Sequence, residues 1–260
     1  MTIATTSSGA GRSLLRHAPV FALALAATAA VLLALGPLGW RAGWWHYRFA
    51  FQTLMPWAGY FGIAAVIVSV ATLLFGRSHI EWRGIAIAAA AFAAGALIAY
   101  VPWHYDQMRQ TVPPIHDITT DPDNPPAFIA VVPLREAADA NPVAYDAKIA
   151  GQQRSAYPDI VPLTVAIPPA TAFIRALNTA QRMGWRIIAA DDAADRIEAS
   201  DRSRWFGFTD DIVIRITATN SGSRVDLRSS SRMGRSDFGV NAARVTRYLA
   251  ALRAAASGSG

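Results

Sequence analysis

With 53% apolar and only 16% charged residues, the 260-residue chain is oily for a soluble protein, in which about a quarter of residues carry charge. It contains no cysteine, which excludes disulfides, thiolate metal sites and cysteine nucleophiles and leaves the redox compartment open. Of the net charge of +6, most sits on residues 1–111, where seven Arg face Glu81 and Asp106; residues 112–260 carry 17 basic and 16 acidic groups, which argues against a nucleic-acid partner.

After an N-terminal tail (1–18) come three uncharged runs, 19–40, 54–75 and 84–103. A hydrocarbon core of roughly 30 Å needs about 20 apolar residues as helix, and each run reaches that length. The first exceeds a signal-peptide core and is read as an anchor. No Asp, Glu, Lys, Arg or His interrupts a run, so an ion or proton pathway is not expected. Gly84, Ala88, Ala91 and Gly95 place small residues at three- and four-residue spacing, which lets helices approach closely. Arg12, Arg16, Arg77 and Arg83 flank one side of the membrane, against Arg41, Arg48 and Arg109 on the other. The bias places the N-terminus inside and the C-terminal domain outside the cytoplasm.

From 112 to 254 the composition becomes that of a folded extramembrane domain. It opens with VPPIHDITTDPDNPPAF (112–128), which holds His116, Asp117, Asp121, Asp123 and five prolines. Phe128 to Val132 reads as a short strand, and Val161 to Ile167 as another. Phe173, Ala176, Leu177 and Ala180 fall on one helical face, and Gly184 supplies a stop. Short strands are expected at 185–189 and 196–200, around the acidic turn 191–195. Ile212–Thr217 and Arg224–Arg228 alternate apolar with polar about the turn Asn220-Ser221-Gly222, an antiparallel hairpin with one wet face. Val245, Tyr248, Leu249 and Leu252 mark a closing helix. The fold class is α+β: three N-terminal transmembrane helices, then a two-layer domain with an antiparallel sheet and two packed helices.

Carboxylates suit Ca²⁺ or Mg²⁺, which makes Asp117, Asp121 and Asp123 weak metal candidates. Their spacing matches no calcium loop, however, and Asp beside Pro is an ordinary turn former. No histidine lies beyond His116, so a Ser-His-Asp site would need that residue to fold back. Asp210 and Asp211, adjacent at a strand start, point to opposite faces. The loop 228–239 offers Arg232, Arg235, Ser236 and Asp237 as a ligand-binding set, with an anion at the N-terminus of the last helix. Internal pairing of these arginines with Asp210, Asp211 or the acidic turn is the alternative. Trp205-Phe206-Gly207-Phe208 reads as core, with an exposed edge that meets the membrane or a partner as the alternative.

HDITTDPDNPPAF (116–128), YPDI (157–160), WFGFTDDIVIRI (205–216) and SRMGRSDFGVNAARV (231–245) together resemble the family catalogued as domain of unknown function 1499, over residues 112–253. The resemblance implies a bacterial envelope-associated protein with plastid relatives, assigns no catalytic residue, and makes the opening stretch an ordered strap of the domain. The expectation is a membrane-anchored accessory or binding protein of the inner membrane, its domain periplasmic, with no cofactor and no nucleic acid. Its partners would be the lipid bilayer and another envelope protein or lipid. The alternatives are a domain that binds a lipid or anionic small ligand, and a metal-dependent hydrolase built on residues 116–123.

Overall fold

The computed structural model describes residues 9–76, 78 and 80–257; the first eight residues and Arg77 of the charge count lie outside them. The chain forms two compact units, divided between Gln107 and Met108.

The first unit is helical. Helix α1 (Gly9–Arg41) starts ahead of the uncharged run. Helix α2 (Tyr47–Gly76) includes π turns at Ala50–Leu54 and Thr72–Gly76, and α3 is Trp82–Thr111. All three are long and apolar enough to cross a membrane. The small-residue stripe of α3 does face a neighbour: Ala88, Ala91 and Gly95 are buried. Gly95 meets Gly62 of α2 so closely that a Cβ on either would lie 2.7–2.8 Å from the other's carbonyl oxygen. Large apolar side chains such as Phe21, Ile67, Leu74 and Leu97 point outward instead, which suits helices whose solvent is lipid.

The second unit is an antiparallel sheet with two long helices on one face. Its strands are β1 (Asp117–Thr119), β2 (Leu163–Val165), β3 (Arg186–Asp191), β4 (Arg196–Arg202), β5 (Thr209–Thr219) and β6 (Gly222–Ser231). The order is β1-β6-β5-β4-β3, and β2 also pairs with β6. Strands β1 and β2 thus share one edge of β6, at residues 228–230 and 223–225. Both are three residues long, and the Gln153 side chain brackets Thr119 by accepting from its N–H and donating to its carbonyl. Short α4 (Val132–Glu136) and α5 (Ala150–Ala156) lie between β1 and β2.

Helices α6 (Pro169–Arg182) and α7 (Val240–Ser257) cover the sheet. Period-two alternation sends Ile212, Ile214, Ile216, Val225, Leu227 and Ile197 toward them. The helices answer with Phe173, Ala176, Ala180, Val245, Tyr248 and Leu252. Trp185 stacks on Tyr248 at 5.0 Å, and the buried Tyr248 hydroxyl donates to the Ala176 carbonyl. That burial pushes the Tyr248 phenol up from its ordinary value. The β5–β6 turn falls on Asn220 and Ser221, as expected. Gly222 follows at φ 145°, where a Cβ would overlap the Val165 carbonyl.

Two expectations are corrected here. Phe128 to Val132 is not a strand: the chain turns there and enters α4. The second face of the hairpin is not wet either, because Asp211, Asp226 and Arg228 on it are all at most 3% exposed. The strap formed by residues 117–146 is packed on that face. Its Phe128 and Val131 meet Val213 in a second small apolar cluster.

Candidate functional site

The covered face carries the chemistry of the domain. Across it the strands bring together Glu198 and Ser200 (β4), Asp211 and Arg215 (β5), Arg224, Asp226, Arg228 and Ser230 (β6), and Asp117 (β1). A buried charge is tolerated only when it is paired and hydrogen-bonded, and nearly every group here is.

Three clusters result. In the first, Asp117 takes a bidentate pair from Arg228, at 3.0 and 2.7 Å. The Arg228 guanidinium also donates to the carbonyls of Pro126 and Val143 of the strap. It lies 4.8 Å from the Phe128 ring centre and 5.4 Å from that of Tyr145, a cation–π sandwich. Burial, with the Asp117 charge nearby, pushes the Tyr145 phenol up to about 12.

In the second, fully buried Asp211 accepts from Arg135 (2.9 Å), from Arg232 (2.9 and 2.8 Å) and from Ser200 (2.7 Å). Arg135 of α4 donates further to the carbonyls of Ser230, Ser231 and Asn141. Burial lowers its pKa, and Asp211 opposes that shift. In the third, Asp226 and Asp121 are held jointly by Arg224 and Arg215.

Glu198 fastens the strap. Its carboxylate accepts three backbone N–H groups, from Ile129, Ala130 and Val131, each at 3.0 Å. These amides would pair in a sheet if 128–132 were a strand. Glu198 takes them instead, and it is why that segment turns.

On the helix side of the sheet, Asp210 points away from Asp211, as strand alternation requires. It meets Arg244 at 2.7 Å, which also contacts Asp201 and Asn241. Asn241 in turn donates to the His116 carbonyl and Ser231 Oγ.

The sequence-derived candidates are dispersed among these contacts. Asp117 is held by Arg228, Asp121 by Arg224 and Arg215, and Asp123 by Arg154 at 2.6 Å. Among the described residues no three His, Asp or Glu side chains converge as metal ligands. Arg232 is spent on Asp211, the internal pairing weighed above, while Arg235 is exposed. Ser236 Oγ accepts from the Phe238 amide. Asp237 accepts from the N–H groups of Gly239 and Asn241, both at 2.8 Å, and so caps α7 itself. Of the aromatic run, Phe206 is buried and stacked on Phe208, whereas Trp205 is 38% exposed. Sequence reasoning did not single out Arg135 or Glu198. Glu198 alternates with the apolar Ile197 and Ala199, which also describes a solvated face, and Arg135 stands beside Glu136 as an ordinary surface pair would.

Burial raises the Asp237 carboxyl above its ordinary value, against the pull of the Asn241 and Gly239 amides. A folded-state pKa above the unfolded one favours folding most below the unfolded value of 3.8, and that favour is lost as pH rises through the folded value. Gly239 and Asn241 donate to different oxygens of the carboxylate, so Asp237→Asn removes the titration and keeps an acceptor for only one of the two amides. In urea unfolding read by pulse proteolysis, it is expected to flatten the pH dependence above 3.8, with a loss at pH 7 of no more than about 1 kcal/mol for the one cap bond that is not kept. A pH dependence above 3.8 as steep as that of the wild type would show that Asp237 is not the group responsible.

A family model described as protein of unknown function (DUF1499) matches residues 117–252, just over half of the chain. No curated protein matches. The match takes in the strap, the six strands, and most of α7, so that strap and sheet form one family unit. By that match the chain belongs to the family of proteins of unknown function DUF1499.

Proposed function

We propose that this is a membrane-anchored accessory or binding protein of the bacterial envelope, with three helices fixing the α+β domain at the outer face of the inner membrane. The observation that carries the reading is the run of three helices of membrane-crossing length ahead of the domain, each built on an uncharged stretch of about 20 residues. A non-catalytic role is supported by the way the domain uses its charges. The carboxylates that a hydrolase would need in the strap are held by arginines, and Arg–carboxylate pairing orients a carboxylate toward its partner.

Topology tests the reading. The chain has no cysteine, and Ser221 sits exposed in the β5–β6 turn. In Ser221→Cys, a maleimide that passes the outer membrane but not the inner one is expected to label intact cells as fully as lysed ones. Labelling only after lysis would place the domain in the cytoplasm and overturn the envelope assignment.

A further inference from the structure

One end of the sheet gathers four segments. It holds the start of β1, the β4–β5 loop (203–208), the loop after β6 (232–239) and the first turn of α7. Register fixes this: Arg202 faces Thr209, Asp210 faces Ser231, and Asp117 faces Ser230. The chain enters the domain at the same end. Val112 packs beside Gly239, the Asp237 N–H donates to the Ile115 carbonyl, and the Ser231 N–H donates to the His116 carbonyl.

Val112 directly follows Thr111, the last residue of α3. The uncharged stretch of α3 ends at Trp103, so the chain tethers this end of the domain to the membrane-spanning run by only eight residues.

What this end exposes suits such a neighbour. Trp205 is 38% exposed and Val240 44% exposed. Arg202, Arg204 and Arg235 are exposed around them, against Glu136 and Asp139 on the strap. Tryptophan beside arginine is the side-chain pairing of a membrane–water interface.

We propose that this end of the domain is a docking surface for the anionic lipid headgroups of the membrane that anchors the chain, with Trp205 at the interface and Arg235 on phosphate. The proposal rests on the membrane anchorage above and adds a specific face and a lipid charge.

The test uses the full-length chain in nanodiscs, spin-labelled at Val240→Cys on this end or at Ala193→Cys in the exposed turn at the opposite end. The discs contain either phosphatidylcholine alone or a mixture with about a third phosphatidylglycerol. The readout is nitroxide accessibility to oxygen against a water-soluble nickel complex. In anionic discs the Val240 label is expected to shift toward oxygen several-fold relative to the Ala193 label. The shift should shrink in phosphatidylcholine, in about 0.5 M salt, and in Arg235→Glu. Equal accessibility at the two sites in both lipids would overturn the proposal. So would a Val240 label protected to the same degree whatever the lipid charge or salt, which would point to protein contact. A chain that fails to enter the discs at all would instead sink the anchorage.

Discussion

Asp211→Ala is expected to destabilise the α+β domain by about 3–5 kcal/mol, the cost of leaving a buried charge without its partner. The Asp211 carboxylate is fully buried and balances two guanidinium groups, Arg135 and Arg232, while also accepting from Ser200. Arg232 has a route to water, being 15% exposed. Arg135 has none at 1%. Without Asp211 its charge would be left with carbonyl dipoles and the Phe128 ring and no counter-charge in contact, and its Nε already lacks a hydrogen-bond partner. The same change at Asp123 should do little, because the Arg154–Asp123 pair is largely in water. Pulse proteolysis of the detergent-solubilised chain across a urea series measures both. The double change Arg135→Leu with Asp211→Leu should recover much of the loss, since replacing both members of a buried pair by apolar groups is far milder than removing one. An Asp211→Ala domain as stable as the wild type would show that the charge cluster is not what holds α4 to the sheet.

The elements that could be read from sequence were those whose pattern is local. Three charge-free runs of hydrocarbon length announced three helices. The apolar faces Phe173/Ala176/Ala180 and Val245/Tyr248/Leu249/Leu252 announced the two helices that cover the sheet. The β5–β6 hairpin followed from alternation about Asn220 and Ser221. What alternation cannot tell is whether a polar face ends in water or beneath another piece of chain. Arg224, Asp226 and Arg228 look like a solvated edge when read along β6. Asp226 and Arg228 are covered, and Arg224 partly so, because a proline-rich strap about a hundred residues earlier brings Asp117 and Asp121 to meet them. The strand expected at 128–132 failed for the same reason. Val131 and Val132 favour a strand locally, but a carboxylate 67–69 residues away takes the amides. The candidate site was legible as a list of charges and not as a set of pairs, because the pairing is set by topology.

The strap's attachment can be tested apart from the stability of the sheet. Glu198→Ala removes the acceptor for three consecutive amides at once and leaves them facing an apolar side chain. Each charge-assisted bond contributes about 1.5–3 kcal/mol net, and the three share one carboxylate, so their sum is not reached. A net loss of about 3–4 kcal/mol for the segment corresponds to amide exchange faster by roughly 10²–10³. Hydrogen exchange read by mass spectrometry should show that acceleration in peptides covering residues 126–140. Peptides from β5 and β6 should stay close to wild type, because their ladder and the core on the helix side do not involve Glu198. Glu198→Gln, which keeps one acceptor oxygen and loses the charge, should fall between the two. Acceleration spread evenly over strap and sheet would mean that the strap is part of the domain's single cooperative unit and has no separate opening. No acceleration at Ile129–Val131 would mean that Phe128 and Val131, packed on Val213, hold the segment without the carboxylate. Acceleration confined to the strap would make Glu198 a latch. Its release would bare Arg135, Arg228 and Asp226, a concentration of charge that a solvated face would not need to cover.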